Sequence, residues 1–234
     1  MTIIPDTKDW TWVLERPCPE CGFDTSWFAR EDVPGMILAN ATAWLDVLTG
    51  PTEVRARPAP DRWSPLEYGC HVRDVLRRYD ERLELMLTEH DPDFANWDQD
   101  ATAVADRYGE QDPVQVSDDL MRAAQALAAR FAAVTGDQWQ RTGSRSDGAQ
   151  FTVETFARYF IHDPVHHLYD VTGVRAALCG LCGVKQPRFR DRRRRWSGGQ
   201  PDVESLYQRT RVLPRPGERA TAGEQESAGW CSGL

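Results

Sequence analysis

Three of the five histidines in this 234-residue chain fall within six positions. They are His162, His166 and His167, and the other two are His71 and His90. In a helix, positions i and i+4 lie one turn apart on the same face, so His162 and His166 can present two imidazoles to one ion. Neutral imidazole is a common ligand of first-row metal ions. The spacing therefore indicates half or more of a metal site.

A third ligand is predicted on a different helix. His71 lies within the apolar stripe of the second predicted helix, where a polar ring needs either a hydrogen bond or a metal as its partner. We predict that the metal ligands are His71, His162 and His166. Three imidazoles leave open positions on zinc, nickel or iron, and open positions distinguish catalytic from closed structural sites. The alternative is that each histidine is a hydrogen-bonded core residue.

The residues around the histidine pair are predicted to support it. His167 points about 100° away from the pair at helical pitch, so we expect it to face solvent or a neighbouring helix. Asp74, Asp163 and Asp170 are candidates to accept hydrogen bonds from ligating imidazoles. Pro164 removes one backbone hydrogen bond and is predicted to kink the helix beside the metal.

The cysteines include two C-x-x-C pairs, Cys18/Cys21 near the start and Cys179/Cys182 near the end. Each pair has the spacing of a zinc half-site or of a redox pair. The interpretation favoured by the sequence is unremarkable loop thiols, and a shared four-cysteine zinc site is the alternative. Thiols rather than disulfides are expected in a cytosolic chain.

Four amphipathic helices are predicted from apolar spacing and capping residues. Their limits, caps included, are Asp32–Gly50, Ser64–His90, Asp112–Gly136 and Thr152–Gly173. Ser64, Pro65 and Glu67 give the second helix its N-cap, its first position and its capping box. Residues 91–112 are predicted to be a long connection, and residues 139–150 a polar turn. Because no strand-like alternation is present, the predicted fold is an all-α four-helix bundle.

The bundle is predicted to occupy residues 32–174, and the chain differs in character on either side of it. Residues 1–31 are rich in tryptophan and interrupted by proline, which predicts an irregular arm packed on the bundle. Residues 175–234 are rich in arginine, glycine, proline and serine and lack the apolar content of a core. We predict that this basic tail is disordered.

The charge is divided unevenly along the chain. Residues 1–174 carry 16 Lys+Arg and 30 Asp+Glu, and residues 175–234 carry 12 and 6, for a net charge of -8. An acidic body is a poor nucleic-acid binder, because phosphate binding needs clustered cations. No apolar run is long enough to span a membrane, and no signal-peptide pattern begins the sequence. We expect a cytoplasmic protein without nucleic-acid or membrane partners.

Residues 63–71, Trp-Ser-Pro-Leu-Glu-Tyr-Gly-Cys-His, resemble the W-s-x-x-E-x-x-x-H segment of DinB-like proteins. Residues 162–166, His-Asp-Pro-Val-His, resemble the closing H-x-x-x-H of the same family. The resemblance covers about residues 30–174 and extends to the metal-binding domain of mycothiol-dependent maleylpyruvate isomerase. It implies a four-helix bundle with a divalent metal on three histidines, at the three positions predicted above.

The resemblance also implies a reaction class. Family members of known activity are transferases or isomerases that use mycothiol, bacillithiol or glutathione. We therefore expect a metal-dependent S-transferase or isomerase that acts on a small electrophile, with a low-molecular-weight thiol as co-substrate. One alternative is a metal-dependent hydrolase that uses a bound hydroxide. Another is a non-catalytic metal-binding bundle, and a homodimer is an option for either kind of protein.

Overall fold

The computed structural model describes residues 9–176, in which the long helices form a bundle. The helices are α1 (Val33–Thr49), α2 (Pro65–Thr88), the short α3 (Gln99–Ala105), α4 (Pro113–Ala132) and α5 (Val153–Thr172). Helix α4 packs against α1 and α2, and α5 packs against the same two helices. The order around the bundle is therefore α1, α4, α2, α5. This arrangement confirms the predicted four-helix bundle and adds α3 within the long connection.

The long helices begin at the capping residues predicted from the sequence, whereas α4 ends at Ala132, before the predicted Gly136. Ser64 accepts a hydrogen bond from the Glu67 N–H, and the Glu67 carboxylate accepts one from the Ser64 N–H, which forms the predicted capping box. The side chains of Asp112 and Thr152 accept N–H bonds in the first turns of α4 and α5. Gly173 ends α5 in a left-handed conformation, with φ of 70°. Local chemistry thus sets the limits of these helices.

The carboxylate of Glu67 also joins the start of α2 to the preceding loop. Arg57 donates to it through Nε at 2.9 Å, and the Ser64 N–H donates to it at 2.8 Å. Burial raises the pKa of Glu67, but these hydrogen bonds outweigh burial and bring the pKa below its ordinary value of 4.5. The charged form of Glu67 is therefore favoured by folding.

We expect Glu67→Gln to lower the free energy of unfolding by about 1–3 kcal/mol at neutral pH, because the variant loses charge-assisted hydrogen bonds. The wild-type advantage is present above the unfolded-state pKa and is lost as the pH falls through the lower folded-state pKa. Urea denaturation of both proteins at neutral and acidic pH measures this difference. Glu89→Gln, at an exposed position, is the control. A difference that stayed constant into acid would contradict the assignment.

A small sheet joins the connection after α2 to a hairpin before α5. Strand β1 (Asp93–Phe94) pairs in parallel with β2 (Thr142–Arg145), which pairs antiparallel with β3 (Gln150–Thr152). The prediction of a polar turn over residues 139–150 was wrong at this point. Strands of two to four residues are too short for an alternating pattern to show in the sequence. The sheet fixes the entry of the chain into α5.

Gly143 in β2 lies directly against two buried side chains. A Cβ at this position would lie 2.6 Å from Cζ of Phe94 and 3.0 Å from Cγ of Met86. We expect Gly143→Ala to lower the free energy of unfolding by about 1–3 kcal/mol, because both side chains must shift. Gly35→Ala in α1 is the control, since nothing lies within 4 Å of its added Cβ. Equal melting temperatures for the two variants would contradict this prediction.

The described part of the arm contributes to the core of the bundle. Cys18, Cys21, Phe23 and Phe28 are buried in the same core cluster as Trp44 of α1. The predicted boundary between arm and bundle stays a prediction, and nearly all of the predicted tail lies outside the described residues. Within residues 9–176, no helix combines the length and apolar character that a membrane span requires.

Candidate metal centre

One stretch of α5 carries two pairs of side chains that can ligate a metal. His162 and His166 form one i, i+4 pair, and Asp163 and His167 form the next. Successive positions of a helix are about 100° apart, so the two pairs face different neighbours. Because α5 continues through Pro164, both pairs keep helical spacing.

His71 of α2 faces the second pair. Its Nε2 lies 3.7 Å from Oδ1 of Asp163, and Nε2 of His167 lies 3.8 Å from the same oxygen. These separations are too long for hydrogen bonds. They are close to the roughly 3.4 Å that separates two ligands of one tetrahedral ion at ordinary bond lengths. We refer to His71, Asp163 and His167 as the open cluster.

The first pair, His162 and His166, faces the arm. Ring nitrogens of these histidines and the sulfurs of Cys18 and Cys21 all lie within 4.8 Å of one another. All four side chains are buried. Nδ1 of His166 lies 3.6 Å from Sγ of Cys18. We refer to these four residues as the closed cluster.

The ligand set predicted from the sequence is therefore divided between two clusters. His162 and His166 lie together, as their spacing predicted, whereas His71 lies against Asp163 and His167. His167 points away from His166 and towards α2, one of the two surroundings expected for it, with its ring centroid 4.8 Å from that of His71. Sequence reasoning missed the ligand roles available to His167 and to the arm cysteines. The signal that could have revealed His167 as a candidate ligand was its i, i+4 spacing from Asp163.

Buried atoms of the open cluster have no hydrogen-bond partner in the described part of the chain. This holds for both ring nitrogens of His71 and for Oδ1 of Asp163. Because an unpaired buried polar atom is costly, such a set is rare in a folded core. Burial lowers the pKa of His71 and so favours the neutral imidazole that coordinates metal ions. The open cluster therefore fits a divalent cation.

Asp163 brings a negative charge to this cluster. Burial raises the pKa of Asp163, but the neighbouring imidazoles, with that of His167 acting most strongly, outweigh burial and hold the pKa at about 2. The side chain is 35% exposed, although Oδ1 itself is shielded from solvent. Two imidazoles and one carboxylate are the protein ligands of many catalytic zinc and non-haem iron sites, which keep further positions open.

Neighbouring side chains hold the open cluster in position. The ring of Trp97 stacks on His71, with centroids 5.5 Å apart and planes 3° from parallel. The ring of Tyr68 lies 5.0 Å from that of His167. Nδ1 of His167 is 3.1 Å from Oδ2 of Asp170, a contact that orients ligating histidines in metal sites. The side chain of His167 is 20% exposed, so solvent reaches the cluster from one side.

The fold and the two clusters define a four-helix-bundle protein of the metal-binding class. The chain belongs to the DinB superfamily, whose sequence model matches residues 37–171. This match confirms the family resemblance seen in the segments that begin at Trp63 and His162.

One solved structure with this fold is that of YfiT from Bacillus subtilis, described as a probable metal-dependent hydrolase with an unusual four-helix bundle topology. The TM-score is 0.56 at 19% sequence identity, and the alignment covers 61% of this chain and 84% of YfiT. At that identity, the likeness shows the fold alone. No curated protein matches the chain.

Proposed function

We propose that this protein is a metal-dependent S-transferase or isomerase that joins a low-molecular-weight thiol to a small electrophile at the open cluster. The observation that carries the proposal is the open cluster itself, in which three ligand atoms converge and solvent reaches one side. Three protein ligands with open positions are typical of catalytic metal sites, whereas four protein ligands are typical of structural ones.

The carboxylates beside the open cluster favour a thiol over water as the nucleophile. A hydrolase of this type needs a general base within hydrogen-bond reach of the attacking water. Asp170 is paired with His167, and Asp74 accepts hydrogen bonds from Arg73 at 2.8 Å and from Tyr108 at 2.6 Å. Both carboxylates are thus already engaged. A divalent ion lowers the pKa of a coordinated thiol enough to remove its proton without a protein base.

The protein residues would orient the reactants and limit the access of water. Trp97 and Tyr68 are partly buried and place apolar rings beside the two imidazoles. Such rings exclude water and suit a small electrophile with an apolar body. In the net reaction, a sulfur–carbon bond forms as the carbon–oxygen bond of an epoxide breaks, and the thiol proton passes to that oxygen. The reaction requires no oxidant or reductant.

The sequence-based expectations about location and partners become part of this proposal. We place the protein in the cytoplasm, where low-molecular-weight thiols are kept reduced. Its partners are then the thiol and a small-molecule electrophile, rather than nucleic acid or a membrane. Homodimerisation stays a prediction.

The proposal is tested with the full chain loaded in turn with zinc, nickel or iron(II). We expect faster conjugation of glutathione or mycothiol to styrene oxide, and loss of this acceleration in His71→Ala. His90→Ala, which changes an exposed histidine, is the matched control and should retain the wild-type rate. Equal rates for wild type, His71→Ala and buffer with metal would overturn the proposal.

Hydrolysis is the second candidate, favoured by the two-imidazole, one-carboxylate ligand set that hydrolytic zinc enzymes also use. It predicts turnover of an ester or amide probe without added thiol, with the same loss in His71→Ala. If metal binds to the open cluster but neither assay shows turnover, the protein is a non-catalytic metal-binding bundle.

A further inference from the structure

We propose that the closed cluster of Cys18, Cys21, His162 and His166 is a structural zinc site that ties the arm to α5. This site is separate from the open cluster and does not depend on the proposed catalytic function. Two thiolates and two imidazoles form one of the standard tetrahedral ligand sets for zinc. The spacings, C-x-x-C on the arm and H-x-x-x-H on α5, fall within those of Cys₂His₂ sites.

The turn that holds the cysteines has the geometry of a metal-binding loop. The Gly22 N–H donates to the carbonyl of Cys18 at 2.9 Å, and the Cys18 N–H donates to the carbonyl of Phe23 at 2.8 Å. Gly22 makes this turn possible through its left-handed backbone, with φ of +79°. The Phe23 N–H points at Sγ of Cys21, 3.5 Å away. A backbone N–H directed at the sulfur stabilises a thiolate that ligates a metal.

The histidines present one ring nitrogen each to this turn. Nε2 of His162 is buried and has no hydrogen-bond partner within the described residues. His166 directs Nδ1 towards Cys18, while its Nε2 lies 3.5 Å from a Glu20 carboxylate oxygen and 3.8 Å from one of Asp170. Carboxylates beside the far nitrogen are typical of histidines that ligate zinc. Each ring therefore has a nitrogen available for the ion.

The surroundings of the closed cluster exclude solvent. The four side chains are 0–7% exposed. The ring of Trp10 lies 5.1 Å from that of His162 and 5.0 Å from that of His166, and Phe23 covers His162 at 5.6 Å. Four protein ligands within an aromatic shell leave no position for substrate, which is the arrangement of a structural site. Zinc binding would displace the two thiol protons to solvent, and neither sulfur would be oxidised.

The position of the closed cluster explains how the two pairs on α5 are divided. The arm supplies two ligands to the first pair, and α2 supplies one ligand to the second. An ion in the closed cluster would join the arm to α5 through the first pair and leave the second pair to α2. We therefore expect loss of this zinc to loosen the arm and to lower the melting temperature, because the ion binds the folded chain selectively.

Cobalt(II) in place of zinc provides a direct test on the full chain. We expect sulfur-to-cobalt charge-transfer absorption together with the ligand-field bands of a tetrahedral ion. The charge-transfer absorption should disappear in Cys18→Ser/Cys21→Ser and weaken or shift in His162→Ala. Cys70→Ala removes another buried thiol and should leave the spectrum unchanged. Persistence of the charge-transfer absorption in Cys18→Ser/Cys21→Ser would overturn the proposal.

The cysteines at positions 179 and 182 need a separate variant, because they lie outside the described residues. Cys179→Ser/Cys182→Ser should retain both the cobalt spectrum and the bound zinc. Loss of the spectrum in that variant, with His162→Ala unaffected, would indicate a four-cysteine site and would contradict the proposal.

A measurement on the wild-type chain covers the case in which the variants fail to fold. Alkylation by iodoacetamide, followed by mass spectrometry, reports the reactivity of each cysteine peptide. We expect a chelator to increase the alkylation of Cys18 and Cys21 by at least 10-fold, and added zinc to reverse the increase. Equal alkylation with and without chelator would refute a zinc site, and modification as a disulfide would indicate a redox pair instead.

Discussion

His167→Ala is expected to remove the divalent ion from the open cluster and to abolish the activity that depends on this ion. The imidazole of His167 converges on Oδ1 of Asp163 together with that of His71, so its loss leaves only two of the three ligands. The metal affinity should fall by at least about 100-fold, since even the loss of a supporting residue costs about 10–100-fold. Calorimetric titration of the chelator-treated protein with nickel or zinc measures the change.

The comparison with His162→Ala gives this prediction its specificity. His162 belongs to the closed cluster, so His162→Ala should retain metal binding at the open cluster while it lowers the melting temperature of the zinc-loaded protein. A single site formed by His71, His162 and His166 predicts the opposite result, in which His162→Ala loses metal binding and His167→Ala retains it. His90→Ala should match wild type in both measurements. Normal metal binding and activity in His167→Ala would contradict the open cluster as the metal site. That result would favour the ligand set predicted from the sequence.

The helix starts and the end of α5 were predictable because they depend on local chemistry. Ser64, Asp112 and Thr152 each bond to N–H groups within their own first turn, and Gly173 acts through its own backbone conformation. Such interactions involve neighbours in sequence and leave a readable pattern. The sheet was not predictable in this way. Its parallel pair joins Asp93 to a residue about fifty positions later, and no local pattern records that contact.

The division of the candidate ligands between the two clusters was hidden for a related reason. Spacing shows which side chains share a face of α5, but it does not show what each face contacts. The rotation of the helix against α2 and against the arm decides this, and that rotation depends on packing among distant segments. Cys18 and Cys21, for which the sequence favoured loop thiols over half of a zinc site, illustrate the point. Their partners in the structure are histidines more than 140 positions away.

Pro164 is a point of contact between α5 and α1. Proline cannot donate a backbone hydrogen bond, and the sequence predicted a kink at this position. In the structure, α5 continues through Pro164, and the carbonyl of this residue accepts hydrogen bonds from Asn40 at 3.1 Å and from Trp44 at 3.4 Å. Both donors belong to α1. Helix α1 therefore contacts α5 between the residues that supply the two clusters.

Trp44→Ala is expected to lower the free energy of unfolding by about 3–5 kcal/mol, the range for loss of a large buried ring. Trp44 is fully buried, and its removal leaves a cavity between α1 and α5. Trp44→Phe keeps much of the ring but loses the hydrogen bond to Pro164, so a smaller loss of about 1–2 kcal/mol is expected. Urea denaturation with and without bound metal measures both effects.

Leu38→Ala, on the same helix, is the matched control for the change in size. Leu38 is 39% exposed, so its truncation should cost no more than about 1 kcal/mol. Because Trp44 contacts the carbonyl of Pro164, Trp44→Ala should also weaken metal binding at the open cluster, whereas Leu38→Ala should leave the affinity unchanged. Equal stabilities for Trp44→Ala and Leu38→Ala would contradict the packing role of Trp44. An unchanged metal affinity in a folded Trp44→Ala would show that α1 does not help to position the ligands on α5.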